Sequence, residues 1–384
     1  MTEKNKIESV SDFVKTINTF HLTMNNSSVD GRSHIPATTF FRGQASDHNN
    51  TNLQAGVFRN KNSEFSLTHT YTNMFDQTFR NMSNNGERLA QMQHYGLATR
   101  LLDVSSLPLV ALYFAVCDSE NDCLEDFDDG RVFILRSCPT FKINGHDEQL
   151  LLKTANSDHL EIMSTIALLD TQKKLEINMG LAHFNENYEL ILNEFNPSDS
   201  IIPLEKLKLH FKDSLGFGAE DDDDFLQAEE EELEGFYTPD EINKTITACR
   251  QYLDQLRSLN KELNSNPAIK ALYHAIRTDI GDFTTDIDFE SLQIPFFFEP
   301  PINNERIKAQ HGYFLFEPFF DNGKGNLEDI LKLQNAFCLK NNTLIIDGSK
   351  KRDILTDLDK YYGINRHCLF PDYSNGALYV NMNK

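Results

Sequence analysis

The stretch from residue 91 to residue 115 constrains the fold more than any other part of this sequence. Its second half, residues 108–115, is apolar on every side of a helix, and a helix of that kind has to be buried in a core. Its first half surrounds Gly96 with polar and ionisable side chains, namely Gln93, His94, Tyr95, Thr99, Arg100 and Asp103. The sequence therefore predicts a polar cluster fixed to rigid structure, as a binding or catalytic site requires.

The turn into the apolar helix predicts an anion site. Asp103, Ser105 and Ser106 can each cap a helix, and Pro108 is compatible with its first turn. A helix N-terminus presents free N–H groups and a positive dipole end to anions. Arg100 precedes this point closely and would add positive charge. The alternative is that Arg100 and Asp103 form a structural ion pair.

The composition of the chain disfavours several classes of protein. The chain has 36 Lys and Arg residues against 58 Asp and Glu residues, a formal net charge of -22. Such a surface repels polyanions, which disfavours a general nucleic-acid binder, although a local basic groove remains open. No run approaches the roughly 20 apolar residues of a membrane span, and no signal segment follows the N-terminus. The six cysteines include no CxxC pair, which disfavours a zinc site or a disulfide framework. We expect a cytoplasmic protein.

Strand patterns near both ends of the chain, with helices between them, predict an α+β domain with a mostly antiparallel sheet. We expect strands at residues 38–43, 131–136, 296–298, 312–316 and 343–347. We expect helices at residues 9–21, 64–80, 86–94, 149–172, 238–264, 268–278 and 350–361. Residues 174–196 are ambiguous between helix and strand, and residues 200–204 are a short strand candidate.

Two acidic blocks, residues 221–224 and 229–232, interrupt the chain. Blocks of like charge are usually solvated or disordered, and this one lacks the glycine-punctuated pattern of a calcium loop. We expect residues 205–280 to form an acidic, helical insertion. Residues 1–204 and 281–384 would then be the two parts of one domain.

Several segments together resemble the FRG domain family. Phe41-Arg42-Gly43-Gln44 resembles the signature that names the family. Residues 93–97, 99–103 and 108–115 resemble its central block, residues 306–314 a later segment, and residues 363–372 its closing segment. The family commonly has proline at the position of Ala98 and tryptophan at the position of Val104, and this chain has no tryptophan. The resemblance extends over about residues 35–375 and leaves the insertion outside.

The FRG resemblance implies a bacterial protein associated with anti-phage defence or toxin action. The strand-terminal Arg42 also resembles the first motif of ADP-ribosyltransferases, which would imply an ADP-ribosyltransferase-like fold and NAD as the substrate. By that analogy we expect catalytic roles for Arg42, His94, Tyr95 and Gln310. We expect nucleotide contacts from Gly43, Gln44, Gln93, Thr99, Arg100, Asp103 and Ser105. The alternative is a non-enzymatic sensor that recognises a phage protein or a nucleotide in the same cleft.

The expected roles follow from side-chain chemistry. Arg42 would bind phosphate or ribose through charge-assisted hydrogen bonds, Arg100 would hold the diphosphate, and Tyr95 would stack on nicotinamide. This arrangement requires Arg42 and Arg100 to converge on one crevice beside the start of the buried helix. The acceptor of the transferred group is undetermined, with a phage or host protein and a nucleic acid both open.

Gln310 occupies the position of the late transferase motif. A neutral amide can bond a ribose hydroxyl but cannot act as a general base, so the base would be His94, Glu299 or Glu305. Purely structural roles for Gln310 and His94 remain open. The chain has no P-loop, no GxGxxG after a strand, no HExxH and no GxSxG motif. No metal is expected.

Overall fold

The computed structural model describes most of the chain. The described residues are 6–25, 38–59, 63–82, 84–117, 128–136, 140–143, 146–149, 152–153, 158–195, 200–214, 219–279, 281, 283, 287, 292, 294–300, 305–318 and 327–382. None of the helices in these ranges has the length and apolar content needed to cross a membrane.

Helices dominate the chain between short strands. The helices are α1 Val10–Asn25, α2 Gly56–Arg59, α3 Glu64–Met74, α4 Asp76–Arg80, α5 Asn85–His94, α6 Pro108–Val116, α7 Asp158–Leu168, α8 Thr171–Glu194, α9 Leu204–Asp213, α10 Ala219–Leu233, α11 Pro239–Ser265, α12 Pro267–Asp279, α13 Glu305–Gln310, α14 Leu327–Ala336, α15 Lys351–Tyr362, α16 Arg366–Leu369 and α17 Tyr373–Met382. The strands are β1 Thr39–Gln44, β2 Leu101–Ser105, β3 Gly130–Arg136, β4 Thr140–Ile143, β5 His146–Gln149, β6 Leu152–Lys153, β7 Phe296–Phe298, β8 Gly312–Phe316 and β9 Thr343–Ile346.

The central sheet has seven described strands in the order β6-β7-β8-β2-β1-β3-β9. Strand β6 is parallel to β7, and all other neighbours in this sheet are antiparallel. Strands β4 and β5 form a separate antiparallel hairpin. The predicted α+β class with a mostly antiparallel sheet is confirmed.

Helix α6 packs directly on the sheet through two glycines. A Cβ atom at Gly43 in β1 would lie 1.9 Å from the carbonyl oxygen of Ala111, and one at Gly130 in β3 would lie 2.2 Å from that of Ala115. Only glycine allows the two backbones to approach this closely. Most of α6 is buried, so the prediction of a buried helix after the polar cluster is confirmed.

Three hydrophobic clusters surround the sheet in the described part of the chain. One joins α6 to α1 and α15 on one face of the sheet. A second covers the other face and includes Phe40, Phe133 and Leu315. The largest contains residues of α5, α7 and α8 together with residues of α9 to α12. The helices of the expected insertion therefore share one core with helices from the first part of the chain.

The acidic blocks lie in helix α10, where four of their residues are exposed, as expected of like charge, whereas Asp222 and Glu229 are buried. Asp222 is 4% exposed and accepts hydrogen bonds from Arg257 at 2.7 and 2.8 Å. Glu229 is also buried and pairs with Lys206. The two acidic residues are two helical turns apart and share a face. That face meets cations of α9 and α11. These cations offset the repulsion between the acidic side chains.

Local structure departs from expectation at several other points. Residues 101–105 form β2, which the capping pattern did not predict. Residues 188–192 belong to helix α8, residues 200–203 are not a strand, and the helix expected from residue 149 begins only at Asp158. Phe75, with φ -123°, separates α3 from α4. Most of residues 24–37 and 118–129 lie outside the described part of the chain.

Candidate functional site

A cavity of about 200 Å³ lies beside the pairing of Phe41 in β1 with Ser105 in β2. Elements from distant parts of the sequence surround it, including the end of α5, the first turns of α6, the short helix α13 and strand β8. Its lining residues are Phe41, Arg42, Gly43, His94, Asp103, Val104, Ser105, Val110, Ala111, Phe114, Arg306, Ile307, Gln310, Gly312, Tyr313 and Phe314. We call it the Arg42–Arg306 cavity.

Arg42 extends from β1 toward β2. Its Nη1 donates a hydrogen bond to the carbonyl oxygen of Asp103 at 2.5 Å. Its Nε is buried and has no hydrogen-bond partner among the described residues. Burial lowers the pKa of Arg42, and Asp103 acts in the opposite direction. Because arginine stays protonated in proteins, Arg42 brings a buried donor and a full positive charge to the cavity.

Arg306 approaches the cavity from α13. Its Nη1 donates to the carbonyl oxygen of His94 at 3.0 Å, and its guanidinium carbon lies 4.5 Å from the ring centre of Phe370, a cation–π contact. Burial lowers the pKa of Arg306, whereas Asp103 and Asp372 raise it. The cavity lining thus carries two guanidinium groups and the carboxylate of Asp103, a local positive excess in a chain of net charge -22.

His94 and Asp103 supply the groups that could accept a proton. Burial lowers the pKa of His94 below its ordinary value of 6.5, and Arg306 lowers it further, so the imidazole is neutral at pH 7. The Asp103 carboxylate accepts a hydrogen bond from Gln93 Nε2 at 2.7 Å. Gln93 in turn accepts one from the Thr99 hydroxyl at 2.8 Å. This chain of bonds fixes the orientation of the Asp103 carboxylate.

Ser105 and Gln310 hold the walls of the cavity together. The Ser105 hydroxyl donates to the carbonyl oxygen of Gln310 at 2.7 Å and accepts the N–H of Leu107 at 3.0 Å. The Gln310 side-chain amide donates to the carbonyl oxygen of Leu369 at 3.0 Å. Neither Asp103 nor Ser105 caps α6, because its N-cap is Leu107 and Pro108 occupies the first turn.

Arg100 lies outside the cavity, so the expected convergence of Arg42 and Arg100 was wrong. Arg100 is 1% exposed and forms two hydrogen bonds to the Glu64 carboxylate, at 2.9 and 2.5 Å. A third runs to the carbonyl oxygen of Glu317 at 3.3 Å. Lys174 completes the cluster with a bond to Glu64 at 2.6 Å. These contacts occupy the guanidinium and assign Arg100 to the core; its alternative partner Asp103 is bonded to Gln93 instead.

The pKa values of the two glutamates near Arg100 are shifted in opposite directions. Burial would raise the pKa of Glu64, but Arg100 and Lys174 outweigh it and lower that pKa to about 2. Burial raises the pKa of Glu317 to about 8. Glu317 accepts the N–H of Ala55 at 3.1 Å through Oε2, while its Oε1 is buried without a partner among the described residues. Glu64 is therefore ionised at pH 7 and Glu317 is mainly protonated.

The structure brings six of the eleven predicted site residues to the cavity: Arg42, Gly43, His94, Asp103, Ser105 and Gln310. Gln93 and Thr99 orient Asp103 from outside the lining. Gln44 is buried outside it, and its Oε1 has no partner among the described residues. Tyr95 is 64% exposed beyond the lining, with its ring 4.8 Å from that of His94.

Arg306 and Tyr313 are the polar lining residues that the sequence did not single out. The signal for Arg306 was present, because residues 306–314 resemble a later segment of the FRG family. Nothing local placed this segment opposite Arg42. Within the described part of the chain, no group of three or more His, Cys, Asp or Glu side chains is arranged to hold a metal ion.

Comparison with known proteins addresses the resembling segments up to residue 115. No curated protein and no solved structure matches the chain, so the expected likeness to the ADP-ribosyltransferase fold stays a prediction. The model of the FRG domain family matches residues 37–123. The match includes Arg42, His94, Asp103 and helix α6, whereas the segments at 306–314 and 363–372 lie outside it. Residues 37–123 of this chain therefore carry the FRG domain that the sequence predicted.

Proposed function

We propose that this chain binds a phosphorylated nucleotide, such as NAD, in the Arg42–Arg306 cavity and transfers its ADP-ribosyl group. The observation that carries the proposal is that two guanidinium groups line one cavity of a strongly acidic chain. Arginine is the side chain best suited to phosphate, because its planar fork makes charge-assisted and often bidentate hydrogen bonds.

The state of Arg42 favours an anionic ligand. An unsatisfied buried N–H group costs roughly 1–3 kcal/mol, and Arg42 Nε is such a group among the described residues. A phosphate in the cavity would pair its negative charge with the guanidinium of Arg42, which lines the cavity. Helix α6 begins beside the cavity, with Val110 and Ala111 in the lining, and its positive dipole end favours the same charge.

The proposed reaction needs a proton acceptor as well as an anion site. The bond between the nicotinamide nitrogen and C1′ of the ribose breaks, and nicotinamide leaves with the electron pair. A nucleophile on the acceptor bonds to C1′ and gives its proton to a base. We assign this role to His94, because its neutral imidazole has a free lone pair at pH 7. Gln310 acts in positioning α13 instead, because its amide N–H is bonded to Leu369.

Calorimetric titration of the full chain with NAD tests the binding step. We expect Arg42→Gln and Arg306→Gln each to weaken binding by about tenfold or more, since each removes a charge-assisted contact. Arg250→Gln is the control, because it removes the same charge from an exposed pair with Asp223 in the helical insertion. Wild-type protein that does not bind NAD, or binding that survives both cavity substitutions, would refute the proposal.

Incubation with NAD labelled in the adenylate part tests the reaction step. We expect label on an acceptor with wild-type protein and its loss with His94→Ala, while NAD binding persists. Binding without label transfer or nicotinamide release would make the chain a non-enzymatic nucleotide sensor. Defence against phage, implied by the family resemblance, is the cellular setting that we propose for either activity.

A further inference from the structure

An exposed aromatic patch adjoins the Arg42–Arg306 cavity. It consists of Tyr71, Met74, Phe75 and Tyr95. Met74 is 71% exposed, Tyr95 64% and Phe75 47%. Large apolar side chains grouped at a surface usually mark a binding site.

The patch is continuous with the cavity. His94 lines the cavity, and its ring meets the ring of Tyr95 edge to face at 4.8 Å. Burial raises the pKa of Tyr71, and an electrostatic interaction with Tyr95 raises it further. The Tyr71 ring is 4.9 Å from that of Phe75. A ligand that leaves the cavity past His94 meets the Tyr95 ring next.

The size of the cavity requires a second subsite if the ligand is a dinucleotide. Pockets that enclose a drug-sized ligand measure roughly 300–1,000 Å³, whereas this cavity measures about 200 Å³. A cavity of this size is too small to enclose a whole dinucleotide. The remaining part of the ligand has to lie outside.

We infer that the aromatic patch is the subsite for the adenine base of the nucleotide held in the Arg42–Arg306 cavity, with Tyr95 as its main stacking partner. This inference rests on the proposed function. Bases stack on exposed aromatic side chains whatever their sequence context, and a Tyr ring offers a large flat surface with little rotamer freedom to lose. In this inference Tyr95 stacks on adenine, rather than on nicotinamide as the sequence analysis expected.

Titration of the full chain with two probes tests the inference. NAD contains adenosine, whereas nicotinamide mononucleotide lacks it but keeps the phosphate and the reacting bond. We expect Tyr95→Ala to weaken NAD binding by about tenfold and to leave binding of nicotinamide mononucleotide within twofold. Tyr95→Phe keeps the ring and should restore NAD binding. Phe236→Ala is the control, because Phe236 is an 83% exposed aromatic residue of the helical insertion.

The outcomes separate this inference from the proposed function. If wild-type protein binds neither probe, both fail. If it binds both probes and Tyr95→Ala weakens neither, or weakens both equally, the cavity stands and the adenine subsite is refuted. A concentration-dependent dimer that sedimentation shows for the wild type and not for Tyr95→Ala would assign the patch to a second copy of the chain and also refute the inference.

Discussion

Replacing Arg100 by alanine is predicted to destabilise the fold rather than to weaken ligand binding alone. The substitution removes the two bonds to Glu64 and the bond to the Glu317 carbonyl oxygen. It leaves a carboxylate that is 2% exposed with Lys174 as its remaining cationic partner. Breaking a buried ion pair on one side typically costs about 3–5 kcal/mol. We expect the lower end of that range, because Lys174 still balances the charge.

The lowered pKa of Glu64 gives a second estimate of the free energy by which this cluster stabilises the fold. Its fall from 4.5 to about 2 on folding corresponds to roughly 3 kcal/mol of stabilisation, at about 1.4 kcal/mol per pKa unit. Because this folded-state pKa is depressed, the stabilisation is present above pH 4.5 and is lost as the pH falls toward 2. Without Arg100 the folded-state pKa of Glu64 lies closer to 4.5, so the stability difference between variant and wild type should be largest above pH 4.5 and should shrink as the pH falls toward 2.

Urea denaturation followed by circular dichroism measures the free energy of unfolding at pH 7. Acid titration measures how the difference between variant and wild type changes with pH. Arg80→Ala is the matched control, because Arg80 is 75% exposed in an ion pair with Asp76 within one helix. Such surface pairs contribute about 0.3–0.5 kcal/mol. A free energy of unfolding for Arg100→Ala within about 1 kcal/mol of wild type, with an unchanged acid transition, would refute the argument that this cluster is structural.

Three further predictions concern other buried contacts. Gly43→Ala should cost on the order of 3 kcal/mol or more, because the added methyl group clashes with α6. Thermal melting compares it with Gly281→Ala, whose added methyl group has no atom within 4 Å. Equal melting temperatures would contradict the prediction. Glu317→Gln should stabilise the fold at pH 9 by on the order of 5 kcal/mol and little at pH 4, because the raised pKa of about 8 makes stability fall as the pH rises from 4.5 to 8. Urea titrations at both pH values that give equal gains would disprove this. Asp222→Ala should cost about 3 kcal/mol by leaving the partly buried Arg257 without its carboxylate, and a change below 1 kcal/mol in the same assay would count against it.

The parts of the fold that the sequence predicted are those specified by neighbouring residues. An apolar run without a polar face can only be buried, and residues 108–116 are the buried helix α6. The helix expected from residue 238 is α11, and Thr238 and Glu241 form both reciprocal bonds of a capping box at its start. Gly363 ends α15 in the left-handed conformation, at φ 66°, as glycine after a helix predicts.

The parts that could not be predicted depend on contacts between distant residues. Arg100 binds Glu64, which is 36 residues away, and Lys174 reaches the same carboxylate from 110 residues away. Local spacing placed Arg100 beside the N-terminus of α6, where it was expected to add positive charge to an anion site. Likewise, only the order of strands in the sheet brings α13 and Arg306 to face Arg42. Six of the predicted residues line the cavity, but the second arginine of the pair was not predicted.

The cavity is assembled from residues that span the chain from Phe41 in β1 to Phe370, which supports Arg306. A ribosome adds about 5–20 residues per second, so on the order of tens of seconds separate the synthesis of the first wall from that of the last. During that interval the nascent chain has Arg42 but no complete pocket for a ligand. The proposed nucleotide binding would therefore become possible only after residue 370 has been synthesised and the later segments have packed against β1.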